Sequence, residues 1–177
     1  MDFSKNYFEL FHLEVDFEVD RAELDDAFRS LQREYHPDRH AHKGDVAQRE
    51  AVQASSLLNT AYESLKDPLQ RAQYLLTLKG IETGEDSRRQ LPMDFLIEQM
   101  ELRESLADAP DAADPFSVLS ALEKQASSSQ AECFMLFKSA FTSSDFDVAE
   151  VAVRKLQFFK KLLSEIEAME DRLDEEY

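Results

Sequence analysis

Two stretches of apolar residues at helical spacing lie on either side of Pro37 and favour a helical hairpin in the first half of the chain. The first begins at Asp20, which can cap a helix together with Glu23 three residues on. It ends at His36, because proline cannot continue a helix and disfavours helical backbone in the residue before it. The second stretch alternates steps of four and three, as expected for antiparallel helix packing. The apolar positions are Leu24, Ala27, Phe28, Leu31 and Tyr35, then Ala47, Ala51, Ala54, Leu58, Ala61 and Leu65.

The composition predicts an all-α fold with two domains. Only three of the 177 residues are glycine, and runs of β-branched residues are few. Hydrophobic residues make up 43% of the chain, which is enough to form a core. The polar segment 80–92 holds two of the three glycines and ends in a proline, which is typical of a domain boundary. We predict a hairpin domain with flanking short helices over 1–79, a linker over 80–92, and a three-helix bundle over 93–177 with helices near 93–107, 116–140 and 145–173.

The net charge restricts the partners of the chain. It has 20 Lys and Arg residues against 37 Asp and Glu residues, a formal charge of -17, which disfavours nucleic acid and anionic membranes. Its partners should therefore be proteins. The N-terminal residues do not resemble a targeting segment and no run is long enough to span a membrane, so we expect a cytoplasmic protein. The single cysteine, Cys133, excludes an internal disulfide and lies in an apolar run, where we expect a buried thiol.

A small positive strip beside Pro37 interrupts this acidic pattern. On a helical wheel, Arg29, Arg33 and His36 fall away from the apolar stripe, and Arg39 follows the proline. The strip should favour encounter with an acidic protein surface.

The tripeptide His36-Pro37-Asp38 is expected to lie at an exposed turn, because proline ends the preceding helix. One alternative is that it only stops the helix, with Asp38 bonding the local backbone. Another is a metal or acid-base site that combines His36 and Asp38 with His40 and His42. All four side chains of such a site would come from one exposed loop, which disfavours it.

The first half resembles a J-domain. The resemblance rests on Asn6-Tyr7-Phe8-Glu9-Leu10, the basic-faced helix, the tripeptide, and Asn59-x-Ala61-Tyr62-x-x-Leu65-x-Asp67-Pro68-x-x-Arg71-Ala72, in that order. It implies a co-chaperone that docks on an ATP-dependent, DnaK-class chaperone and stimulates its ATP hydrolysis. By this resemblance the triggering contacts are His36, Pro37 and Asp38. The residues that meet an acidic surface of the chaperone are Arg29, Arg33 and Arg39.

The second half narrows the resemblance to one family of J-proteins. It contains FLIEQMELRE at 95–104 and VRKLQF at 153–158, and it lacks the Gly/Phe-rich or zinc-binding segments of generic J-proteins. The whole chain resembles the HscB family of iron-sulfur cluster biogenesis. In that family the C-terminal bundle binds the scaffold protein IscU and the J-domain recruits the chaperone HscA, which implies IscU-like and HscA-like partners here. The scaffold-binding residues carried over are Leu96, Met100, Glu101, Glu104 and Phe158.

The helix predicted near 93–107 has two apolar stripes. One contains Phe95, Leu102 and Leu106, and the other contains Met93, Leu96, Met100 and Ala107. A bundle helix with two neighbours would bury both stripes, whereas a binding helix would expose one beside Glu101, Arg103 and Glu104. Periodicity leaves both alternatives open, and the family resemblance favours binding. In the last helix, four side chains lie off the main stripe: Val151, Phe158, Leu162 and Met169. Phe158 is the scaffold-binding candidate among them.

No pattern in the sequence indicates catalysis. There is no phosphate-binding glycine loop, no order of residues typical of a Ser-His-Asp triad, and no histidine in the second half. We therefore expect a protein that is not an enzyme and has no cofactor or resident metal. Two hypotheses remain, and both describe a binding protein. One is a co-chaperone that escorts an iron-sulfur scaffold, and the other is a J-domain adaptor for a different client.

Overall fold

The computed structural model describes residues 2–40, 44–83 and 90–176 of the chain. Every regular element in these ranges is a helix, which confirms the predicted all-α class. The residues form two compact units, Met1–Lys79 and Gly80–Tyr177. The α-helices are α1 (Tyr7–Leu10), α2 (Arg21–Tyr35), α3 (Pro37–His40), α4 (Asp45–Lys66), α5 (Pro68–Thr77), α6 (Met93–Asp108), α7 (Pro115–Thr142) and α8 (Phe146–Glu176), with a 3₁₀ turn at Ala109–Asp111.

The first unit is an antiparallel hairpin of α2 and α4 with α1 and α5 packed on it. Asp20 caps α2 by accepting hydrogen bonds from two backbone amides, and Asp67 caps α5 in the same way. Of the predicted stripe on α2, only Leu24 is fully buried, and the other four side chains are half-buried. The reason is that α4 is the main neighbour of α2, so the flanks of the stripe reach solvent. The largest fully buried side chains of this unit are Phe8, Phe11, Leu24, Leu58, Leu65, Leu75 and Leu76.

A polar contact joins α2 to α4 beside the apolar seam. The hydroxyl of Tyr62 donates to Asp25 Oδ1 at 2.9 Å, and Arg21 bonds both groups, at 2.7 Å to Asp25 and 2.9 Å to the hydroxyl. The Tyr62 ring stacks on Phe28 with centroids 4.1 Å apart. Partial burial opposes ionisation of Asp25, but the hydrogen bond from Tyr62 and the charge of Arg21 outweigh it, so the pKa of this carboxyl lies below its ordinary value.

Tyr62→Phe is expected to lower the melting temperature of the first unit by a few degrees, because the ring stack remains while the hydroxyl bond to Asp25 is lost. The lowered pKa of Asp25 contributes stability above the pKa of the unfolded chain, and that contribution disappears as the pH falls through the folded value. The difference between wild type and variant should therefore shrink in acid. Thermal denaturation across acidic to neutral pH measures it, with Tyr7→Phe as a control. A difference that is independent of pH would contradict the role given to Asp25.

The second unit is a long antiparallel hairpin of α7 and α8 with α6 packed against it, so the bundle has the predicted three helices. Its largest fully buried side chains are Phe95, Phe137, Phe159, Leu119 and Leu156. Leu162, predicted to lie off the main stripe of α8, is fully buried. The helix α8 packs along α7 and also meets side chains of α6. Cys133 is buried as predicted, and burial raises the pKa of its thiol.

Part of the segment between the helical regions lies against α8. Thr83 is buried, and its carbonyl accepts a hydrogen bond of 3.0 Å from the side-chain amide of Gln157. Within the described ranges, no helix has the length and apolar character that crossing a bilayer requires.

Candidate protein-binding sites

The His36-Pro37-Asp38 tripeptide joins two helices. His36 ends α2 with an extended backbone, at ψ 129°, as expected for a residue before proline. Pro37 then begins α3, the position at which proline is most favourable in a helix. The prediction of an exposed turn is wrong in its backbone, because the chain is helical again from Pro37, the residue that follows His36.

Both ionisable side chains of the tripeptide lie at the surface. The side chain of His36 is 54% exposed and that of Asp38 is 91% exposed. The amide of Asp38 donates to His36 Nδ1 at 3.3 Å, and its carboxylate Oδ2 lies 3.7 Å from the same nitrogen. A neutral ring that accepts at Nδ1 carries its proton at Nε2, so Nε2 is the donor of the ring. The tripeptide therefore presents an imidazole and a carboxylate to a partner, and the carboxylate retains its exposed oxygens.

The three predicted arginines differ in what they contact. Arg29 pairs with Asp26 at 2.6 Å, and this hydrogen bond raises the pKa of Arg29. Arg39 donates to the backbone carbonyl of Arg33 at 2.9 Å, which ties α3 to the last turn of α2. All three side chains are exposed, so the positive strip exists at the surface. Four residues line one surface pocket beside the tripeptide: Gln32, Arg33, His36 and Arg39.

Only part of the alternative metal site lies within the described residues. His42 and the side chain of His40 lie outside the described residues. Among the residues that the structure describes, no group of three or more His, Cys, Asp or Glu side chains is arranged to hold a metal ion.

The two apolar stripes of α6 have different environments. Phe95, Leu102 and Leu106 are buried in the bundle. The second stripe faces solvent, with Met93 and Met100 each 71% exposed and Leu96 36% exposed. The possibility that both stripes are core is therefore wrong. The exposed side of α6 is an apolar face of the kind that binds proteins.

The structure adds Ile97 to this face, since its side chain is half exposed. Ile97 was left out of the predicted stripe, although it lies four residues after Met93 and three before Met100, which is the spacing of one helix face. That spacing was the signal that could have identified it. Glu101 and Glu104 are exposed on α6, one and two turns after Ile97, so carboxylates border the apolar face.

Phe158 reaches α6 from α8 and is half-buried. Its ring meets that of Phe95 edge to face, with centroids 5.6 Å apart and planes at 90°. The guanidinium carbon of Arg103 lies 5.5 Å from the Phe158 centroid. The structure thus places Phe158 against α6 between Phe95 and Arg103, which are two helical turns apart. We call Met93, Leu96, Ile97, Met100 and Phe158 the apolar surface of the second unit.

Each of the two sites lies in a part of the chain that matches a known domain family. A family model for the DnaJ domain matches residues 6–74, and a model for the HSCB C-terminal oligomerisation domain matches residues 91–167. A co-chaperone protein HscB homolog of Vibrio cholerae serotype O1 is 43% identical over 168 residues, which cover 95% of this chain and 98% of the relative.

Solved structures show the same similarity. Chaperone HscB from Vibrio cholerae superposes with a TM-score of 0.86 at 40% identity, over 96% of this chain and 99% of that one. The human co-chaperone protein HscB superposes with a TM-score of 0.89 at 32% identity, over 96% of this chain and 84% of that one.

A J-domain with an exposed His36-Pro37-Asp38 defines the protein as a J-domain co-chaperone, a class that works with Hsp70-type chaperones. Two findings narrow this class to one family. The second unit matches the HSCB C-terminal domain model, and the HscB homolog is similar along nearly the whole chain. The chain belongs to the HscB family of co-chaperones.

Proposed function

We propose that the protein escorts an IscU-like iron-sulfur scaffold to an HscA-like, DnaK-class chaperone in the cytoplasm and stimulates the ATPase of that chaperone. The observation that supports this most strongly is the presence, in one chain of the HscB family, of an exposed tripeptide in one unit and an exposed apolar surface in the other. Each can bind one partner. Covalent linkage of two binding modules raises the effective concentration of the client at the chaperone.

In this proposal the first unit supplies the trigger. The exposed carboxylate of Asp38 can form a charge-assisted bond with an arginine of the chaperone, and Arg33 can pair with acidic groups beside it. Exposed ion pairs are individually weak, so this contact should be transient and sensitive to salt. Transient binding suits a co-chaperone that must leave after ATP hydrolysis.

The second unit holds the client on its apolar surface. Burial of Leu96, Met100 and Phe158 would supply most of the affinity, and the carboxylates of Glu101 and Glu104 at the border would set orientation. We propose that the protein performs no reaction itself, and that the iron-sulfur cluster is cargo of the scaffold.

A second candidate is a J-domain adaptor for a different client. Two of the most exposed apolar side chains on α6, those of Met93 and Met100, are methionines, and flexible thioethers can adapt to several partner surfaces. Direct binding measurements against the scaffold separate the two candidates, because an adaptor for another client would leave the scaffold unbound.

Asp38→Asn is expected to reduce stimulation of the chaperone ATPase by about ten- to a hundred-fold, because a hydrogen bond to a charged partner is worth roughly 1.5–3 kcal/mol. Scaffold binding should be unchanged, since Asp38 lies in the other unit. Steady-state ATP turnover with and without scaffold measures the effect. Glu50→Gln, which removes another exposed carboxylate of the first unit, is the matched control. Full stimulation by Asp38→Asn would remove the trigger from this tripeptide.

A further inference from the structure

Arg103 connects α6 to α8 directly over the proposed client surface. Its guanidinium lies over the ring of Phe158, and its Nη1 is 3.2 Å from Glu165 Oε2. Lys161, one turn before Glu165 on α8, approaches the other oxygen of the same carboxylate at 3.9 Å. The guanidinium therefore bonds a carboxylate while it lies over an aromatic ring.

The ring beneath Arg103 has a defined orientation. Phe158 meets Phe95 edge to face, and it meets Phe159 at a centroid distance of 5.3 Å with planes at 67°. Phe95 is fully buried, and on its own ring lies the ammonium of Lys155, 4.7 Å from the centroid. Phe95 and Phe159 thus pack against the Phe158 ring from the core, and the guanidinium of Arg103 lies over the ring. What is left for a client is the remainder of the ring.

Each of these contacts is modest. Arg103 and Glu165 are both partly exposed, so solvent and salt weaken their ion pair. A planar guanidinium that lies over an aromatic ring loses little freedom when it also bonds a carboxylate. The pair is therefore too weak to hold the bundle together but strong enough to favour one position of a half-buried phenyl ring.

We propose that Arg103, anchored by Glu165, is a positioning residue that covers and orients Phe158 for the client. This inference rests on the proposed function, because it assigns Phe158 to client binding. Arg103 acts through the Phe158 ring: it keeps the ring in the orientation that the client binds.

The contact of Arg103 with the Phe158 ring can be tested in the free protein, without any client. The chain contains no tryptophan, so Phe158→Trp introduces a single tryptophan at the site, which can be excited at wavelengths where the five tyrosines hardly absorb. An indole is a better partner for a cation than a phenyl ring, so the contact with Arg103 should persist. Adding Arg103→Ala is expected to raise the acrylamide quenching constant about two-fold, as an aromatic face loses its cation. Glu165→Gln should raise it less, and Arg103→Lys should fall between.

Matched controls distinguish shielding of the ring by Arg103 from an effect of the changed net charge. Lys124→Ala and Glu167→Gln remove one exposed charge of each sign elsewhere in the bundle and should leave quenching unchanged. Acrylamide is uncharged, so its access does not depend on net charge. Equal quenching before and after Arg103→Ala, with the fold retained by circular dichroism, would overturn the proposal.

The effect on the client follows from a double-mutant cycle with the IscU-like scaffold. Arg103→Ala is expected to weaken binding about three-fold in the wild-type background, the size of an exposed cation contact with a ring. In a Phe158→Leu background, which keeps an apolar side chain but has no ring, it should have no effect. An equal loss in both backgrounds would mean that Arg103 touches the scaffold itself, and the positioning role would be wrong. Absence of scaffold binding to the wild type would instead reject the proposed function, while the quenching experiment still decides whether Arg103 covers the ring.

Discussion

Replacement of both Leu96 and Phe158 by alanine is expected to lower affinity for the iron-sulfur scaffold by about a thousand-fold, because two central side chains of an interface contribute roughly 2 kcal/mol each. Leu96 stands on the exposed side of α6, and Phe158 reaches the same helix from α8. Isothermal titration calorimetry with the full chain measures the loss. Stimulation of the chaperone ATPase in the absence of scaffold should remain, because the tripeptide lies in the other unit.

A matched control removes a similar amount of exposed apolar surface elsewhere. Val46 and Val52 are more than half exposed on α4, and their joint replacement by alanine should leave scaffold affinity unchanged. Wild-type affinity in the Leu96→Ala, Phe158→Ala variant would place the client on another surface. Loss of ATPase stimulation in that variant would show that the two units do not divide the functions as proposed.

Helix positions could be predicted from the sequence because local chemistry sets them. Asp20 and Asp67 cap their helices through short side-chain bonds to nearby amides, and Pro68 begins a helix where its missing amide is harmless. The same locality explains the error at the tripeptide. Pro37 was read as a stop, but a proline that ends one helix is equally suited to begin another, and α3 does begin there.

The burial of individual side chains could be predicted less well, since it depends on which neighbours a helix has. The stripe on α2 is only half-buried beyond Leu24, because one main neighbour cannot cover its full width. Leu162 was predicted to lie off the stripe but is buried in a helix that contacts both α7 and α6. Periodicity gives the angle between side chains on one helix and contains no information on the number of neighbours.

The same limit applied to the candidate client surface. The wheel of α6 identified two stripes, and only the packing of Phe95 against α8 shows that the stripe of Met93, Leu96 and Met100 is the exposed one. The contact of Arg103 with Phe158 joins residues far apart in the chain. No local pattern encodes such a pair. The assignment of these residues to a client remains a prediction that binding experiments must test.

Phe95→Ala is expected to destabilise the second unit by about 3–5 kcal/mol, the usual cost of removing a buried phenyl ring and leaving a cavity. Phe95 is 1% exposed and contacts the rings of Phe158 and Phe159 at centroid distances of 5.6 and 5.7 Å. A loss of this size is a large fraction of the roughly 5–15 kcal/mol that stabilises a typical domain. Chemical denaturation and amide hydrogen exchange across α6, α7 and α8 measure it.

Ile97→Ala on the same helix is the control, because Ile97 is half exposed and its loss leaves no internal cavity, so the cost should stay below about 1 kcal/mol. Phe95→Ala should also weaken scaffold binding, although Phe95 itself is buried, because Phe158 loses the ring against which it packs. This loss should be seen at a temperature where the variant is still folded. Wild-type stability of Phe95→Ala would contradict the packing of α6 against α8, and normal scaffold affinity in the folded variant would show that the orientation of Phe158 does not matter for binding.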